Sequence, residues 1–465
     1  MSKYVFVLMF CLLSISGLTA GPRYLFYFIG DGMGMGHVLL AQTYNRVTGL
    51  PPLAMTTFPV AGQVTTFSAS SPVTDSAAAG TALATGTKTR NNMVGMAPDT
   101  TNVASLVPTL QSMGYGVGII SSNAPDDATP ASFYAHAKAR NLYYDIDCQA
   151  AGSGVNFLGG ARMRGFKMNA SDLQRQFDEA EVICAFDSAT VMSNIGKRIL
   201  MASPDTMLNN TLGYVIDYPD ASLPLPKLTD LCLQYLEKST PDQFFMMVEN
   251  GMTDWSAHAN DAGTLVREVN VLNKAIEVAV QFYLQHPDET LIVVTADHDT
   301  GGVSLGNANP DIKYNAHPEL LALQKVSKEA FTKRVAAMMD DRRSYTWDQM
   351  KEVLRDELGF WNGVTPTSAQ EELLHTLFDK MRDGNAGEGQ QTLYASFDDF
   401  SAEVFRVLDS QTGVGWISTY HTGNMVPVYA MGVGAEKFSG LIDNTNIPQA
   451  ILTLVRQRTV FPMQR

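Results

Sequence analysis

The sequence predicts an α/β protein: a three-layer sandwich in which helices flank a large, mostly parallel central sheet, with a helical insertion. Two observations predict this class. Short apolar runs such as Tyr24–Ile29, Phe244–Val248 and Leu291–Thr295 are typical of strands buried on both faces. Segments with apolar residues at helical spacing also occur, as in residues 262–284. Strands that alternate with helices favour a parallel sheet.

Length and charge limit the architecture and the partners. The 465 residues suit one large α/β domain with insertions, or two to three domains. Hydrophobic residues make up 45% of the chain, which is ordinary for a globular protein. The net charge of −14 argues against binding to nucleic acid, whose backbone is itself an anion.

Residues 1–20 have the pattern of a signal peptide. Lys3 supplies the charged start, Val5–Leu13 forms a short apolar core, and small residues continue to Ala20. Leu18 is large for its place before the cleavage site, so an uncleaved membrane anchor is the alternative. We expect a secreted or periplasmic protein, with residues 21–465 as the folded part and no stable membrane insertion after signal removal.

Three cysteines remain outside the signal segment, which suggests one disulfide and one buried thiol. We expect Cys148 and Cys184 to form the pair, because both lie in residues 141–226, a stretch predicted to be a loop-rich excursion. Cys232 lies in the apolar, helix-like segment Leu228–Leu236 and is expected to pack as a small hydrophobe.

The first predicted strand runs into a glycine-rich turn, Gly30–Gly34, that holds Asp31 at the end of the strand. The spacing of the glycines fits neither a dinucleotide fingerprint nor a P-loop. His37 follows, and we expect it not to be a ligand. Val60–Ser68 is the next predicted strand, and the Ala-rich sequence after Ser76 predicts a helix. Ser76 is then either a simple capping serine or a group that meets an anion at the helix N-terminus.

The strand Tyr115–Ser121 is followed by Asp127 and Thr129, whose oxygens suit a hard cation such as Mg²⁺. A helix-like run, Ala131–Arg140, comes next. Arg140 is either a solvated surface residue or a two-pronged grip on a phosphate group.

The strand Phe244–Val248 ends at Glu249, and Asp254 and His258 follow with a spacing of four residues. If Asp254 opens a helix, both side chains lie on one face and can hold one metal ion. A capping aspartate with a surface histidine is the alternative. The strand Leu291–Thr295 repeats this arrangement with Asp297 and His298.

Residues 303–419 lack strong strand signals and are interpreted as a helical insertion. Thr346 with Gln349, and Thr367 with Gln370, have the spacing of capping boxes. His421 then precedes the last predicted strand, Val426–Met431, and a C-terminal helix follows.

Four predicted strands therefore end in acids. Open α/β sheets bind ligands at the carboxyl ends of their strands, where Asp31, Asp127, Glu249 and Asp297 would meet. Four converging carboxylates repel one another, so cations are expected. With the nearby histidines, the ligands suffice for two Zn²⁺ and one Mg²⁺.

Six segments in order, GDGMG, TDSAAAGTA, DDATPASFYAHAKAR, VENGMTDWSAH, TADHDTGG and YHTG, resemble those of the alkaline phosphatase family. The resemblance spans residues 24–426 and implies hydrolysis of a broad range of phosphate monoesters, two zinc ions, one magnesium ion and a homodimer. It implies a phosphorylated nucleophile at Ser76, which also touches metal, and a phosphate clamp at Arg140. The implied ligands are Asp254, His258 and His421 for the first zinc; Asp31, Asp297 and His298 for the second; and Asp31, Asp127, Thr129 and Glu249 for magnesium.

The sequence departs from the family pattern at Trp255, at Asp127 and in the length of residues 303–419. Trp255 stands where some branches carry Lys or His, so it cannot supply charge and is expected to stack or shape the substrate pocket. Asp127 stands where others carry His, and we expect it to keep the third site selective for Mg²⁺. The insertion at 303–419 is long for the family. Two other functions are alternatives to a monoesterase. One is a related enzyme that cleaves phosphodiesters or sulfates, and the other is a metal-bound scaffold whose insertion carries the function.

Overall fold

The protein is built on a ten-stranded sheet, seen in a computed structural model that describes residues 21–205, 210–340 and 345–460. The strand order is β16-β2-β15-β8-β1-β7-β3-β4-β6-β5. Within it β15 runs antiparallel to β2 and β8, and the other pairs are parallel. The strands of this sheet are β1 Tyr24–Gly30, β2 Val60–Thr65, β3 Gly116–Ser121, β4 Phe157–Gly160, β5 Val182–Ala185, β6 Arg198–Ala202, β7 Phe244–Asn250, β8 Thr290–Thr295, β15 Val426–Gly432 and β16 Gly440–Asp443. Outside it lie the short strands β9 Asp299–Thr300, β10 Ser304–Leu305, β11 Gln390–Gln391, β12 Ser396–Phe397, β13 Val414–Gly415 and β14 His421–Thr422.

Helices flank the sheet, and long ones such as α10 bury an apolar stripe beside it. They are α1 Met35–Thr48, α2 Ser76–Thr85, α3 Leu106–Ser112, α4 Ala128–Ala131, α5 Tyr143–Gly152, α6 Phe166–Glu179, α7 Ser188–Ser193, α8 Leu225–Ser239, α9 Met252–His258, α10 Ala262–Gln285, α11 Lys328–Asp340, α12 Trp347–Leu358, α13 Ser368–Arg382, α14 Asp399–Thr412 and α15 Asn446–Val460. The predicted fold class, a mostly parallel sheet between layers of helices, is confirmed.

The strands β1, β7 and β8 are apolar runs whose residues are buried throughout. They are neighbours in the sheet, with β1 between β8 and β7. Burial on both faces explains why these sequences show no alternation of polar and apolar residues. The sequence therefore located them within one or two residues of their ends.

Residues 141–226 differ from the expected loop-rich excursion. They contribute β4, β5 and β6 to one edge of the main sheet, with α5 before β4 and with α6 and α7 between the strands. Each of these strands is four or five residues long. Runs this short carry too little pattern to distinguish a strand from a loop.

The expected disulfide is wrong, because Cys148 and Cys184 are free thiols in the structure, as is Cys232. Cys148 lies on α5 and Cys184 on β5, and side chains of α6 contact each of them. Gln176 Nε2 lies 3.3 Å from Cys148 Sγ, and Gln174 Nε2 lies 3.8 Å from Cys184 Sγ. Cys232 is fully buried, as predicted.

Residues 303–419, which we call the helical region, hold α11 to α14. These helices enclose an apolar core of their own that includes Phe331, Phe378 and Phe400. Both predicted capping boxes are present, at the starts of α12 and α13. His375 on α13 stacks on Trp347 with its ring half exposed.

The predicted signal peptide lies outside the described residues. Among the helices that the structure does describe, none combines the length and apolar composition needed to cross a membrane.

Candidate active site

The candidate site lies at the carboxyl ends of four adjacent strands, β8, β1, β7 and β3. The register pairs Glu249 of β7 with Ile29 of β1 and with Ser121 of β3. Asp31 directly follows β1, and Asp297 follows β8 by two residues. The parallel register thus brings the strand-end acids to one edge of the sheet, which we call the carboxyl edge.

The turn after β1 requires a glycine at position 32. Gly32 has a φ of +68°, and a Cβ there would lie 2.8 Å from Asp254 Oδ1 and 2.7 Å from Thr300 Oγ1. Its N–H donates a hydrogen bond to Asp297 Oδ1 at 3.0 Å. The turn therefore lets the backbone approach two site carboxylates closely.

Asp254, His258 and His421 form the first group of candidate ligands. His258 Nε2 lies 3.4 Å from Asp254 Oδ1, and His421 Nε2 lies 3.7 Å from the same oxygen. The Nδ1 atoms of the two histidines face the backbone carbonyls of Thr419 and Thr74. Fixing Nδ1 in this way leaves both Nε2 atoms aimed at Asp254, an arrangement typical of metal ligands.

Asp31, Asp297 and His298 form the second group. His298 Nε2 lies 3.4 Å from Asp31 Oδ1 and 3.1 Å from Asp297 Oδ2. Ser76 Oγ lies 3.1 Å from the same nitrogen. All of these side chains are buried, so the predicted nucleophile and the second ligand set share one enclosed space.

The third group, Asp127, Thr129 and Glu249, lies beside Asp31. Asp127 caps α4, Thr129 lies within that helix, and the Ser121 hydroxyl donates to Glu249. Burial and then the charge of Asp127 raise the pKa of Glu249 to about 8. Burial, and then the charge of Asp297, raises the pKa of Asp31. Both shifts arise first from burial and then from repulsion between neighbouring carboxylates.

One histidine of the site, His421, has a lowered pKa. Burial, followed by the charge of His298, lowers the pKa of His421 to about 3, so its imidazole is neutral near pH 7. A neutral imidazole is the form that binds metal. Burial alone would raise the pKa of Asp254, but the neighbouring His258 outweighs it and lowers the pKa.

Four buried oxygens test whether this cluster fits metal ions. Within the described residues, Asp31 Oδ1, Asp254 Oδ2, Asp297 Oδ2 and Thr129 Oγ1 make no hydrogen bond, although His298 Nε2 lies 3.4 Å from the first and 3.1 Å from the third. Buried oxygens without partners are costly unless a ligand satisfies them. These oxygens and the histidine nitrogens are donors that suit Zn²⁺ and Mg²⁺, so the residues fit the metals.

Ser76 is the first residue of α2, and Asp75 rather than Ser76 is the N-cap. Asp75 accepts a hydrogen bond from Ala78 N at 3.0 Å. The Ser76 hydroxyl is therefore not used for capping and faces His298 instead. Its position at the helix N-terminus favours negative charge on or next to its oxygen.

Arg140 lies near the start of α2. The sequence predicts a helix-like run over Ala131–Arg140, but the structure has no such helix. The helix α4 ends at Ala131, and Ala137 pairs instead with Val94 in an isolated bridge. Arg140 Nη2 lies 3.0 Å from Asp127 Oδ1, and Nη1 lies 4.0 Å from Asp75 Oδ2. Asp127 thus anchors one side of the guanidinium.

Sequence reasoning missed Arg164, which holds the other oxygen of Asp127. Arg164 Nη2 lies 3.1 Å from Asp127 Oδ2, and Nη1 lies 3.5 Å from Asp126 Oδ1. Burial would raise the pKa of Asp127, but Arg164 and then Arg140 outweigh it and lower the pKa to about 2. Arg164 lies in the stretch expected to be loop-rich, and no local pattern marks it.

Trp255, predicted to shape the substrate pocket, lies on α9 next to Asp254 and is buried. Its ring stacks on Tyr394 of the helical region, with centroids 4.1 Å apart and planes inclined by 10°. No sequence signal pointed to Tyr394, because it lies far along the chain from the site. His37, expected not to be a ligand, is buried near Asp299, with 3.7 Å between Nδ1 and Oδ2.

Comparison with known proteins gives consistent results. The family model described as alkaline phosphatase matches residues 23–162 and 207–456. Alkaline phosphatase 4 of Bacillus subtilis is 29% identical over 393 residues, which cover 83% of this chain and 77% of that protein. Alkaline phosphatase 3 of the same organism is 28% identical over 436 residues, covering 91% and 87%.

Among solved structures, the cold-active alkaline phosphatase of a psychrophilic Shewanella species superposes with a TM-score of 0.78. It is 26% identical in sequence, and the match covers 93% of this chain and 99% of that one.

An open parallel sheet with buried acids and histidines at its carboxyl edge is the arrangement expected of a metal-dependent enzyme. The chain belongs to the alkaline phosphatase family, and it is a phosphatase whose substrates are phosphate monoesters.

Proposed function

We propose that the chain is a secreted or periplasmic alkaline phosphatase that hydrolyses phosphate monoesters through a phosphoserine formed on Ser76. The observation that carries this proposal is the position of the Ser76 hydroxyl. It lies at the start of α2, 3.1 Å from His298 Nε2, beside buried carboxylates with unsatisfied oxygens. A simple capping serine has no reason to lie there.

The metals would be held as the family resemblance implies. Two zinc ions would be bound by Asp254, His258 and His421, whose side chains are in contact, and by Asp31, Asp297 and His298; magnesium would be bound by Asp31, Asp127, Thr129 and Glu249. When bound, these ions supply positive charge that stabilises the serine alkoxide and the oxygen that leaves. The Ser76 hydroxyl, 3.1 Å from His298 Nε2, would join the second set.

The reaction has two displacement steps at phosphorus, the formation of the phosphoserine and its hydrolysis, and residues of the chain take part in both. The Ser76 hydroxyl gives up its proton as Oγ attacks phosphorus, the bond from phosphorus to the ester oxygen breaks, and that oxygen takes up a proton and leaves as the alcohol. Water then attacks the phosphoserine, which restores the serine hydroxyl and releases inorganic phosphate. Arg140 binds the phosphoryl oxygens throughout, held in place by Asp127.

The experiment is hydrolysis of p-nitrophenyl phosphate by the purified protein from pH 6 to pH 11. The bis(p-nitrophenyl) ester and the sulfate ester are measured beside it. We expect monoester cleavage that rises with pH, and a loss of about 10³-fold or more in the Ser76→Ala variant. A brief acid quench of the wild type should yield one phosphorylated serine by peptide mass, at Ser76. Preference for the diester or the sulfate would contradict the proposal, as would turnover that survives Ser76→Ala.

Secretion and assembly have separate tests. The N-terminus of the exported protein should begin at Gly21, which peptide sequencing will show. The family resemblance implies a homodimer, and light scattering should give twice the mass of the mature chain. A monomer, or a protein that retains residues 1–20, would contradict these parts of the proposal alone.

A further inference from the structure

The helical region reaches the active site through one short hairpin. The strands β11 and β12 pair antiparallel, and Tyr394 lies in the loop between them. The Tyr394 ring lies flat on Trp255 and meets the edge of His258, with ring centroids 5.3 Å apart at 77°. A residue of the helical region thus packs on Trp255 and on a candidate metal ligand, outside the core that the four helices of this region enclose.

The hairpin is fixed to the end of α9. Gln390 Nε2 donates to the backbone oxygens of His258 and Ala259, at 3.1 Å each. Lys328 Nζ donates to the same Ala259 oxygen at 2.9 Å and to Gln390 Oε1, and this lysine is 2% exposed. Buried, charge-assisted bonds of this kind fix the hairpin in one position.

The phenol of Tyr394 lies among the charges of the site. Burial raises its pKa, the charge of Asp254 raises it further, and Arg140 opposes both. Within the described part of the chain, its hydroxyl has no hydrogen-bond partner. The half-buried ring lies against Trp255 and His258, and the charges of Asp254 and Arg140 both act on its hydroxyl, so this donor is suited to an anion that Arg140 binds.

We propose that Tyr394 contacts the substrate: its hydroxyl donates a hydrogen bond to an oxygen of the phosphate group that Arg140 holds. Trp255, which cannot supply a charge, fixes the ring by stacking, so a neutral donor takes the place of a cation. The helical region thereby completes the phosphate pocket. This inference rests on the proposed function, because it assigns a further group to the same phosphate site.

The test compares Tyr394→Phe with Tyr314→Phe. Tyr394→Phe keeps the stacked ring and removes only the hydroxyl. Tyr314 belongs to the same region and is fully exposed, so its variant controls for the loss of a tyrosine hydroxyl there. The readouts are KM and kcat for p-nitrophenyl phosphate, the inhibition constant of inorganic phosphate, and the thermal midpoint.

We expect Tyr394→Phe to raise the inhibition constant of phosphate and KM about tenfold, as for a lost hydrogen bond to a charged group. The thermal midpoint should stay at the wild-type value, and Tyr314→Phe should match the wild type throughout. An unchanged inhibition constant in Tyr394→Phe would overturn the inference, including the case in which kcat and the midpoint fall together. No turnover by the wild type would overturn the proposed function and, with it, this inference.

Discussion

The carboxyl edge and the helical region differ in how their buried side chains are satisfied. At the carboxyl edge, buried oxygens of Asp31, Asp254 and Asp297 lack hydrogen-bond partners in the described residues. In the helical region, apolar side chains such as Phe331 and Phe378 fill a core, and capping boxes close the starts of two helices. One region is arranged for a ligand and the other for its own stability.

This difference explains how the two regions work together. A cluster of buried like charges is destabilising by itself, so it needs bound cations and a rigid frame. The sheet supplies the frame on one side. On the other side, the helical region holds the hairpin with Tyr394 against α9 through Gln390 and Lys328.

Removal of the metals should have the largest effect and should fall on the carboxyl edge. We expect chelation to abolish turnover and to lower the thermal midpoint, because the buried carboxylates then repel one another. Hydrogen exchange should rise at the ends of β1, β7 and β8 more than in α12 and α13. Zn²⁺ with Mg²⁺ should restore both properties. If the chelated protein keeps its thermal midpoint and its activity, the carboxyl edge does not need bound cations, and the contrast with the helical region is wrong.

Truncation in the core of the helical region should have a large effect on stability alone. Phe378 is fully buried, and Phe378→Ala should cost about 3–5 kcal/mol of folding free energy. Leu373→Ala is the matched control, because Leu373 lies on the same helix and is 43% exposed. Its cost should stay within about 0.5 kcal/mol.

Denaturant unfolding measures both variants, and kinetics below the transition show whether the regions are separable. We expect the folded Phe378→Ala variant to keep the wild-type KM and the wild-type inhibition by phosphate. A rise in the phosphate inhibition constant of this variant would show that the core of the helical region also sets the geometry of the pocket.

The sequence was most informative where chemistry follows a buried strand. The runs that became β1, β7 and β8 are apolar throughout, and an acid or histidine after such a run has few structural explanations. Asp31, Glu249 and Asp297 could be found in this way. The family resemblance then assigned them to metals, and it also supplied roles for Ser76 and Arg140 that spacing alone leaves open.

The rest depends on contacts between distant parts of the chain. Arg164 meets Asp127, and Tyr394 meets Trp255, only because the fold brings separate segments together. The strands β4 to β6 are too short to carry a pattern. The predicted disulfide is wrong for a similar reason, because two cysteines in the same predicted loop need not lie close together in the fold.

Substitution of Arg164, at the boundary of the site, should have a moderate effect on phosphate binding. In Arg164→Gln, Asp127 keeps Arg140 as its cation, and the carboxylate should draw that guanidinium away from the phosphate. We expect KM and the phosphate inhibition constant to rise about three- to tenfold, which corresponds to about 0.7–1.4 kcal/mol. Steady-state kinetics with p-nitrophenyl phosphate measure both constants.

Arg162→Gln is the control for this variant, because Arg162 is two residues away, is exposed, and lies over the Phe186 ring rather than against an acid. It should match the wild type. If Arg164→Gln also matches the wild type, Asp127 does not need two cations to position Arg140.

The smallest expected effect lies at a helix start in the helical region. Thr367 Oγ1 accepts a hydrogen bond from Gln370 N at 3.2 Å, and Gln370 Oε1 accepts one from Thr367 N at 2.8 Å. Thr367→Ala removes the first bond and should cost about 1 kcal/mol in denaturant unfolding. Thr367→Ser keeps the hydroxyl and should stay near the wild-type stability. Because this cap serves only the stability of α13, neither variant should change KM or kcat. A kinetic change in Thr367→Ala but not in Thr367→Ser would mean that even the outer helices of this region are coupled to the phosphate site.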